Sequence, residues 1–250
     1  MPKSRHDSPA PEQIHLLGHR ERTPAHTHQQ GHVVYPATGV LSMVTEDGSW
    51  IAPPNRAVWI PAGSAHQHRA HGITDMRIVF MAKRFAALLP SRPVVLAVTP
   101  LAREAVLALT RPPGRPPEAR DRLRRIIIDD LLATPEMPLH LPQPRDDRLQ
   151  AVARLVERDL AAPVSLAGLG RRVGAGERTL SRLFREETGM SFRRWRTQLR
   201  VHRALLMLTD GCSVIDTATA CGWANPSAFI DAFTALVGVT PGRYQRSLQT

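Results

Sequence analysis

The sequence predicts an α+β chain of two domains: a strand-rich first half closed by helices, then an all-helical second half. Three observations predict it. Between Thr23 and Met81, short β-rich runs alternate with turn-forming residues. Between Thr134 and Arg145, four prolines rule out a continuous helix. From Asp146 to about Arg246 the apolar spacing is helical, and two helix–turn–helix segments follow one another.

A chain of 250 residues is long enough for two ordinary domains. Its formal charge is +11, and nearly all the cations are Arg, with Lys only at Lys3 and Lys83. Arg forks bind phosphate and guanine bidentately, so this balance suits nucleic acid. A GC-rich genome would explain Arg in place of Lys, but not the net charge. The two cysteines, Cys212 and Cys221, make neither a disulfide framework nor a four-Cys zinc site and are expected as small core residues. No apolar run approaches the ~18 residues of a membrane span, and the N-terminus lacks an apolar signal core. The expectation is a soluble, cytoplasmic chain with no membrane partner.

Residues 1–22 are polar with scattered Pro and read as a loose arm. In 23–133 the runs HVVYPA, GVLSMVT, SWIAP, AVWIPA and MRIVFM read as strands of a small sandwich or barrel, with Tyr35, Trp50 and Trp59 in its core. A helix follows over Leu101–Thr110 and stops at RPPGRPP. The next, Glu118–Ala133, places Leu123, Ile126, Ile127, Asp130 and Leu131 near one face, widened by Ile128 and Leu132. So wide a stripe packs on more than one side, which predicts a homodimer through this helix. Residues 134–145 read as a semi-stiff interdomain linker.

In the helical domain, 146–250, the first helix–turn–helix segment is 166–189 and the second 213–238. In the first, Leu180, Leu183 and Phe184 form an inward face, while Arg178, Ser181, Arg182 and Arg185 share the outward one at i, i+3, i+4, i+7. That set suits contacts to bases and phosphates, and Gly189 supplies the stop. In the second, Ser213 and Asp216 form a capping box, and Ala218 is small where two helices approach. Gly222 fits the turn, Asn225–Pro226 is a cap with an ideal first helical residue, and Phe229, Phe233 and Leu236 point inward. The connecting helix, Phe192–Leu208, carries Arg193, Arg194, Arg196, Arg200 and Arg203. It is about 25 Å long, near the ~34 Å that separates reading heads one DNA turn apart.

Residues 146–246 resemble the DNA-binding domain of the AraC/XylS family of bacterial transcription regulators. The resemblance rests on Gly222-Trp223, Ser227-Ala228-Phe229, Phe233 and Gly238-Val239-Thr240-Pro241-Gly242-Arg243-Tyr244. It implies base-reading positions at Arg178, Ser181 and Arg182 in the first segment and at Pro226, Ser227, Ala228 and Asp231 in the second. The chain departs from the commoner pattern at Gly170, where Ala is usual, and at Asp231, where many members carry Arg. A mid-helix Gly costs about 1 kcal/mol relative to Ala. Asp can accept from cytosine N4 but repels phosphate, so the two segments are expected to contribute unequally to a double-stranded operator.

Nine of the eleven histidines precede residue 72. His26, His28 and His32 are spaced H-x-H-x3-H, and Pro61-Ala62-Gly63-Ser64-Ala65-His66 follows. This part resembles a cupin barrel, over about residues 20–82. The resemblance implies a sensor barrel whose following helices pair two subunits, and candidate metal ligands at His26, His28, His32 and His66, with His32 replacing the usual Glu. Imidazole suits Zn, Ni, Cu or Fe; the alternatives are an organic effector or no ligand. His68 and His71 are expected to face solvent.

The function implied is a sequence-specific transcription regulator gated by a small molecule or metal, with no catalytic residues. The alternatives are a metal-dependent cupin enzyme fused to a DNA-binding domain and a nonspecific basic chromosome protein. Against the enzyme, the Glu ligand is absent and no paired carboxylates sit near the histidines. Against the nonspecific protein, bulk charge does not need two capped helix–turn–helix segments.

Overall fold

The computed structural model describes residues 11–112, 114–134, 136 and 139–248. The chain divides into two compact units. The first runs to residue 140 apart from 46–49, and the second takes 46–49 and 141 onward. The division falls inside the expected linker, and the stretch is not bare: Leu139 is fully buried and His140 stacks on Trp50 at 4.2 Å.

The first unit is mixed α/β with an antiparallel sheet. Strands β1 (Gln13–Leu17), β2 (His32–Thr45), β4 (Arg56–Ile60), β5 (Gln67–Phe80) and β6 (Val94–Ala97) belong to it, while β3 (Gly48–Ala52) and β7 (His140–Pro142) each cross a boundary of the division. β5 lies between β1 and β2, and β4 pairs with β2 and β6. β2 is one strand where the sequence predicts two. The Ala37-Thr38-Gly39 interruption is a bulge, not a turn, with register shifts on both sides of Thr38. Pro36 has no N–H to give the ladder, and Gly39 takes the extra residue at φ +72°. Across from it β5 runs on through His71-Gly72, also expected as a turn.

The expected loose arm of residues 1–22 is corrected over its described part. β1 pairs with β5 from Gln13↔Ile78 to Leu17↔Thr74, and Glu12 forms ion pairs with Arg120 and Arg124. The first ten residues lie outside the described residues.

One sheet face packs on helices α2 (Pro100–Thr110) and α3 (Pro117–Ala133), after the short α1 (Lys83–Ala86). Their shared core includes Tyr35, Trp59, Val79, Val106, Ile127 and Leu131. Trp59 Nε1 donates to Pro90 O at 2.7 Å and the Tyr35 hydroxyl to Pro54 O at 2.8 Å, so both rings bury without losing a hydrogen bond. Of the isoleucines of α3, Ile127 and Ile128 are wholly buried within their own unit, and Ile126 packs against the same core only partly buried. Outward, α2 and α3 show Leu101 and Leu132.

The second unit is helical: α4 (Asp147–Arg158), α5 (Leu166–Val173), α6 (Glu177–Thr188), α7 (Phe192–Thr209), α8 (Val214–Ala220), α9 (Pro226–Val237) and α10 (Pro241–Ser247). Its caps follow from the sequence. Ser165, Ser191, Ser213 and Asn225 accept from the backbone N–H three residues on, and Gly174, Gly189 and Gly238 end their helices in the left-handed region. No helix among the described residues is long and apolar enough to cross a membrane.

Candidate nucleic-acid interface and histidine pocket

Helices α5 and α6 form a tight pair. Leu169, Leu180, Leu183 and Phe184 share a core with α4 and Trp195. Burying that face leaves Arg178, Arg182 and Arg185 exposed and Ser181 half-buried on the opposite side of α6, where they line one shallow concavity with Thr179. Arg182 forms an exposed ion pair with Glu186 at 2.9 Å. Such a pair is worth little in water, so the guanidinium can exchange its partner for a phosphate or base.

Helices α8 and α9 repeat the arrangement. Phe229 and Phe233 are fully buried, and Phe233 reaches Tyr244 of α10 at a centroid distance of 5.7 Å. Pro226, Ser227, Ala228 and Asp231 are exposed on the other side. Neither this outward set nor the rest of α9 holds a cation.

The long helix α7 joins the pairs, and here the sequence misleads. Arg196 and Arg200 are not surface cations. Arg196 donates to Leu160 O and Ala162 O at 3.2 and 2.5 Å, and Arg200 to Leu160 O at 2.9 Å. Arg200 also stacks over Trp223, 5.6 Å from the ring centroid. It thereby ties the end of α4 to the turn between α8 and α9. Arg193, Arg194 and Arg203 stay exposed. Cys221 is buried, and burial pushes its thiol up to about 11, whereas Cys212 is half-buried rather than core.

In the first unit, residues 20–28 run antiparallel along the start of β5, and His26 and His66 exchange both backbone hydrogen bonds, at 2.9 and 3.0 Å. Of His26 and His28, only His26 makes a β-bridge, and it is an isolated one. The pairing still brings together all four histidines singled out in the sequence. Ring centroids lie 4.9 Å apart for His26–His28, 4.5 Å for His28–His32, 4.4 Å for His26–His66 and 5.2 Å for His32–His66.

A fifth histidine joins them. His68 is 1 % exposed, with its ring 5.1 Å from His66, and this corrects its expected place in solvent. His71 is buried as well, bonded to Ser42 at 2.7 Å. The missed signal was positional: His66 and His68 are two apart, so on an extended chain they share a face. Burial holds His32 down to about 3, His66 to about 4 and His68 well below its ordinary value, and neighbouring histidines add to the effect. These three imidazoles are therefore neutral at pH 7, the form that ligates metals. Two triads have donor atoms within 4.8 Å of one another: His28, His32 and His66, and His26, His66 and His68. Neither contains a carboxylate or thiol.

Comparison with known proteins gives consistent matches. A helix-turn-helix domain family matches residues 169–247. The chain is 32 % identical over 255 residues to the HTH-type transcriptional regulator NimR of Escherichia coli (strain K12), covering 100 % of this chain and 92 % of that protein. It is 29 % identical over 104 residues to the HTH-type transcriptional activator RhaR of Yersinia pseudotuberculosis, covering 41 % of this chain and 36 % of that protein. Among solved structures, a DNA-binding transcriptional dual regulator from Escherichia coli K-12 is similar at 29 % identity and a TM-score of 0.39, covering 42 % of this chain and 96 % of that one.

Proposed function

The chain belongs to the AraC family of HTH-type transcriptional regulators, and from that premise we propose that it reads its operator through two helix–turn–helix units of unequal weight, under control of a ligand in the first unit. It is a DNA-binding transcription regulator; what is proposed is how it reads and what gates it. The observation that carries the reading is the outward face of α6, where Arg178, Ser181, Arg182 and Arg185 stand together, set against a cation-free α9. Arg forks read guanine in the major groove, and an α6 inserted there presents all four side chains. α9 offers Pro226, Ser227, Ala228 and Asp231: apolar contact with thymine methyls and acceptance from cytosine N4. The histidine end of the first unit, read as cupin-like, is the place for an effector, either a small molecule or a divalent transition metal. The site of action is the cytoplasm, on the nucleoid. A homodimer, if formed by α2 and α3, uses the outward Leu101 and Leu132 and not the buried isoleucines.

The test begins with genomic fragments captured by the purified chain. Within a captured operator, the half under α6 and the half under α9 are scrambled in turn and affinity is measured by fluorescence anisotropy. Scrambling under α6 is expected to cost more. Equal losses would remove the unequal-weight reading.

A further inference from the structure

We propose that the five-histidine pocket of the first unit holds one late first-row transition-metal ion per chain, Zn(II), Ni(II) or Cu(II), on imidazole nitrogens alone, with His68 among the ligands. The inference names the effector of the reading above, and it rests on that reading only for its regulatory consequence.

The tautomers carry the argument. Nδ1 of His26, His32 and His66 lies 2.7, 3.2 and 2.8 Å from the carbonyl oxygens of Pro24, Gln30 and Ser64. A carbonyl only accepts, so each of these rings keeps its proton on Nδ1 and turns a lone pair on Nε2 into the pocket. Metal-ligating histidines are held in this way, with a backbone carbonyl fixing the ring and the tautomer. Nε2 of His28, His32 and His66 and both nitrogens of His68 are buried with no protein partner. A buried acceptor without a partner is rare and calls for an explanation. Five imidazoles in one place, with the Phe80 ring 5.2 Å from His28 and 5.3 Å from His32, are explained by a shared cation.

The donor set selects the ion. Triads of imidazoles without a carboxylate are poor for Mg, Ca or Mn, whereas imidazole suits Zn, Cu and Ni, and Fe(II) ranks below Ni and Cu for the same ligands. The geometry also sets the number. Both triads need His66, and its Nδ1 is engaged by Ser64. One lone pair serves both triads, so they hold one ion between them and not two.

The experiment uses the full-length chain without a histidine tag, stripped with EDTA and dialysed separately against Zn(II), Ni(II), Cu(II) and Mn(II). Metal per chain is measured by mass spectrometry, and the zinc-loaded chain by X-ray absorption. About one equivalent of each of the first three, little Mn, and an all-nitrogen first shell are expected. His66→Asn is expected to abolish binding. Loss of an outer-shell partner already weakens metal sites by roughly 10–100-fold, so His68→Gln is expected to weaken this one at least as much, while His15→Gln leaves it unchanged. Far-UV circular dichroism checks that each variant is folded. No bound metal, two equivalents, or a folded His68→Gln variant that binds like the parent would each overturn the proposal. Operator affinity is measured on the same samples. Intact operator binding with no metal uptake removes only the metal inference; metal uptake with no effect on operator affinity supports the site and removes its gating role.

Discussion

The two helix pairs of the second unit share a framework and differ in everything that framework leaves outside. In each pair the first helix ends in a turn closed by an N–H donating five residues back: Ala175 N to Gly170 O at 2.9 Å, and Trp223 N to Ala218 O at 3.0 Å. In each the second helix anchors itself through a buried Phe, Phe184 or Phe229, and stops at a left-handed glycine. Outside, α6 shows three arginines and α9 shows none. The framework is set by packing, which tolerates little change. The outward face is free of that constraint, and that is where the two pairs differ.

The largest effects test the shared framework. Phe184→Ala and Phe229→Ala each remove a fully buried ring and are expected to destabilise the second unit by about 3–5 kcal/mol. Urea melts followed by circular dichroism would show it. A cost for one Phe several times that for the other would mean that the pairs are not equivalent frameworks.

The turn position sharpens the comparison. At Gly170, helix propensity alone predicts a gain of about 1 kcal/mol on substitution by Ala. In place, a Cβ there would sit 2.3 Å from the Ala175 carbonyl oxygen, which is backbone and cannot swing away. Gly170→Ala is therefore expected to destabilise by about 1–3 kcal/mol, whereas Ala218→Gly, where the Cβ already fits, loses only about 1 kcal/mol of propensity. A raised melting temperature for Gly170→Ala would show that the first turn has the slack of the second. The family pattern makes Gly170 look like a defect; the carbonyl that requires it is visible only in three dimensions.

That case marks how far the sequence can be read. Caps are local, so Ser213, Asn225–Pro226 and the terminal glycines were legible. So were the inward faces of α6 and α9, because their period is regular. The charged residues of α7 were not: periodicity cannot separate an Arg that meets solvent from Arg196 and Arg200, whose partners are carbonyls some 34 to 40 residues away. In the first unit the spacing of His26, His28, His32 and His66 was legible, but the pairing of residues 20–28 with β5 was not. That pairing runs past His68, which is buried.

On DNA the contrast reaches function. Arg182→Ala is expected to weaken operator binding by ~1–3 kcal/mol and to relax preference at one or two bases. Asp231→Ala is expected to change it by less, since an exposed carboxylate near phosphate offers little beyond one acceptor. Anisotropy with operator and random DNA separates the roles: an equal loss on both would reduce Arg182 to a phosphate contact.

The smallest expected effect concerns how each reading helix begins. α9 starts with Asn225, whose side chain accepts from Ala228 N at 2.8 Å. α6 starts with Gly176, which has no side chain to cap with, although its backbone (φ −70°, ψ 151°) is that of an ordinary N-cap. Losing the cap in Asn225→Ala is expected to cost ~1 kcal/mol. Supplying one in Gly176→Ser is expected to gain a few tenths up to about 1 kcal/mol, from the new hydrogen bond and from fewer unfolded conformations. There is room for it, because an added Cβ would come no closer than 4.0 Å to Thr179 Oγ1. On the proposed reading, a bare N-terminus would leave DNA phosphate room to approach the first N–H groups of α6 closely. If so, Gly176→Ser raises the melting temperature and weakens operator binding together. A variant that is more stable and binds DNA unchanged would make Gly176 an ordinary suboptimal cap.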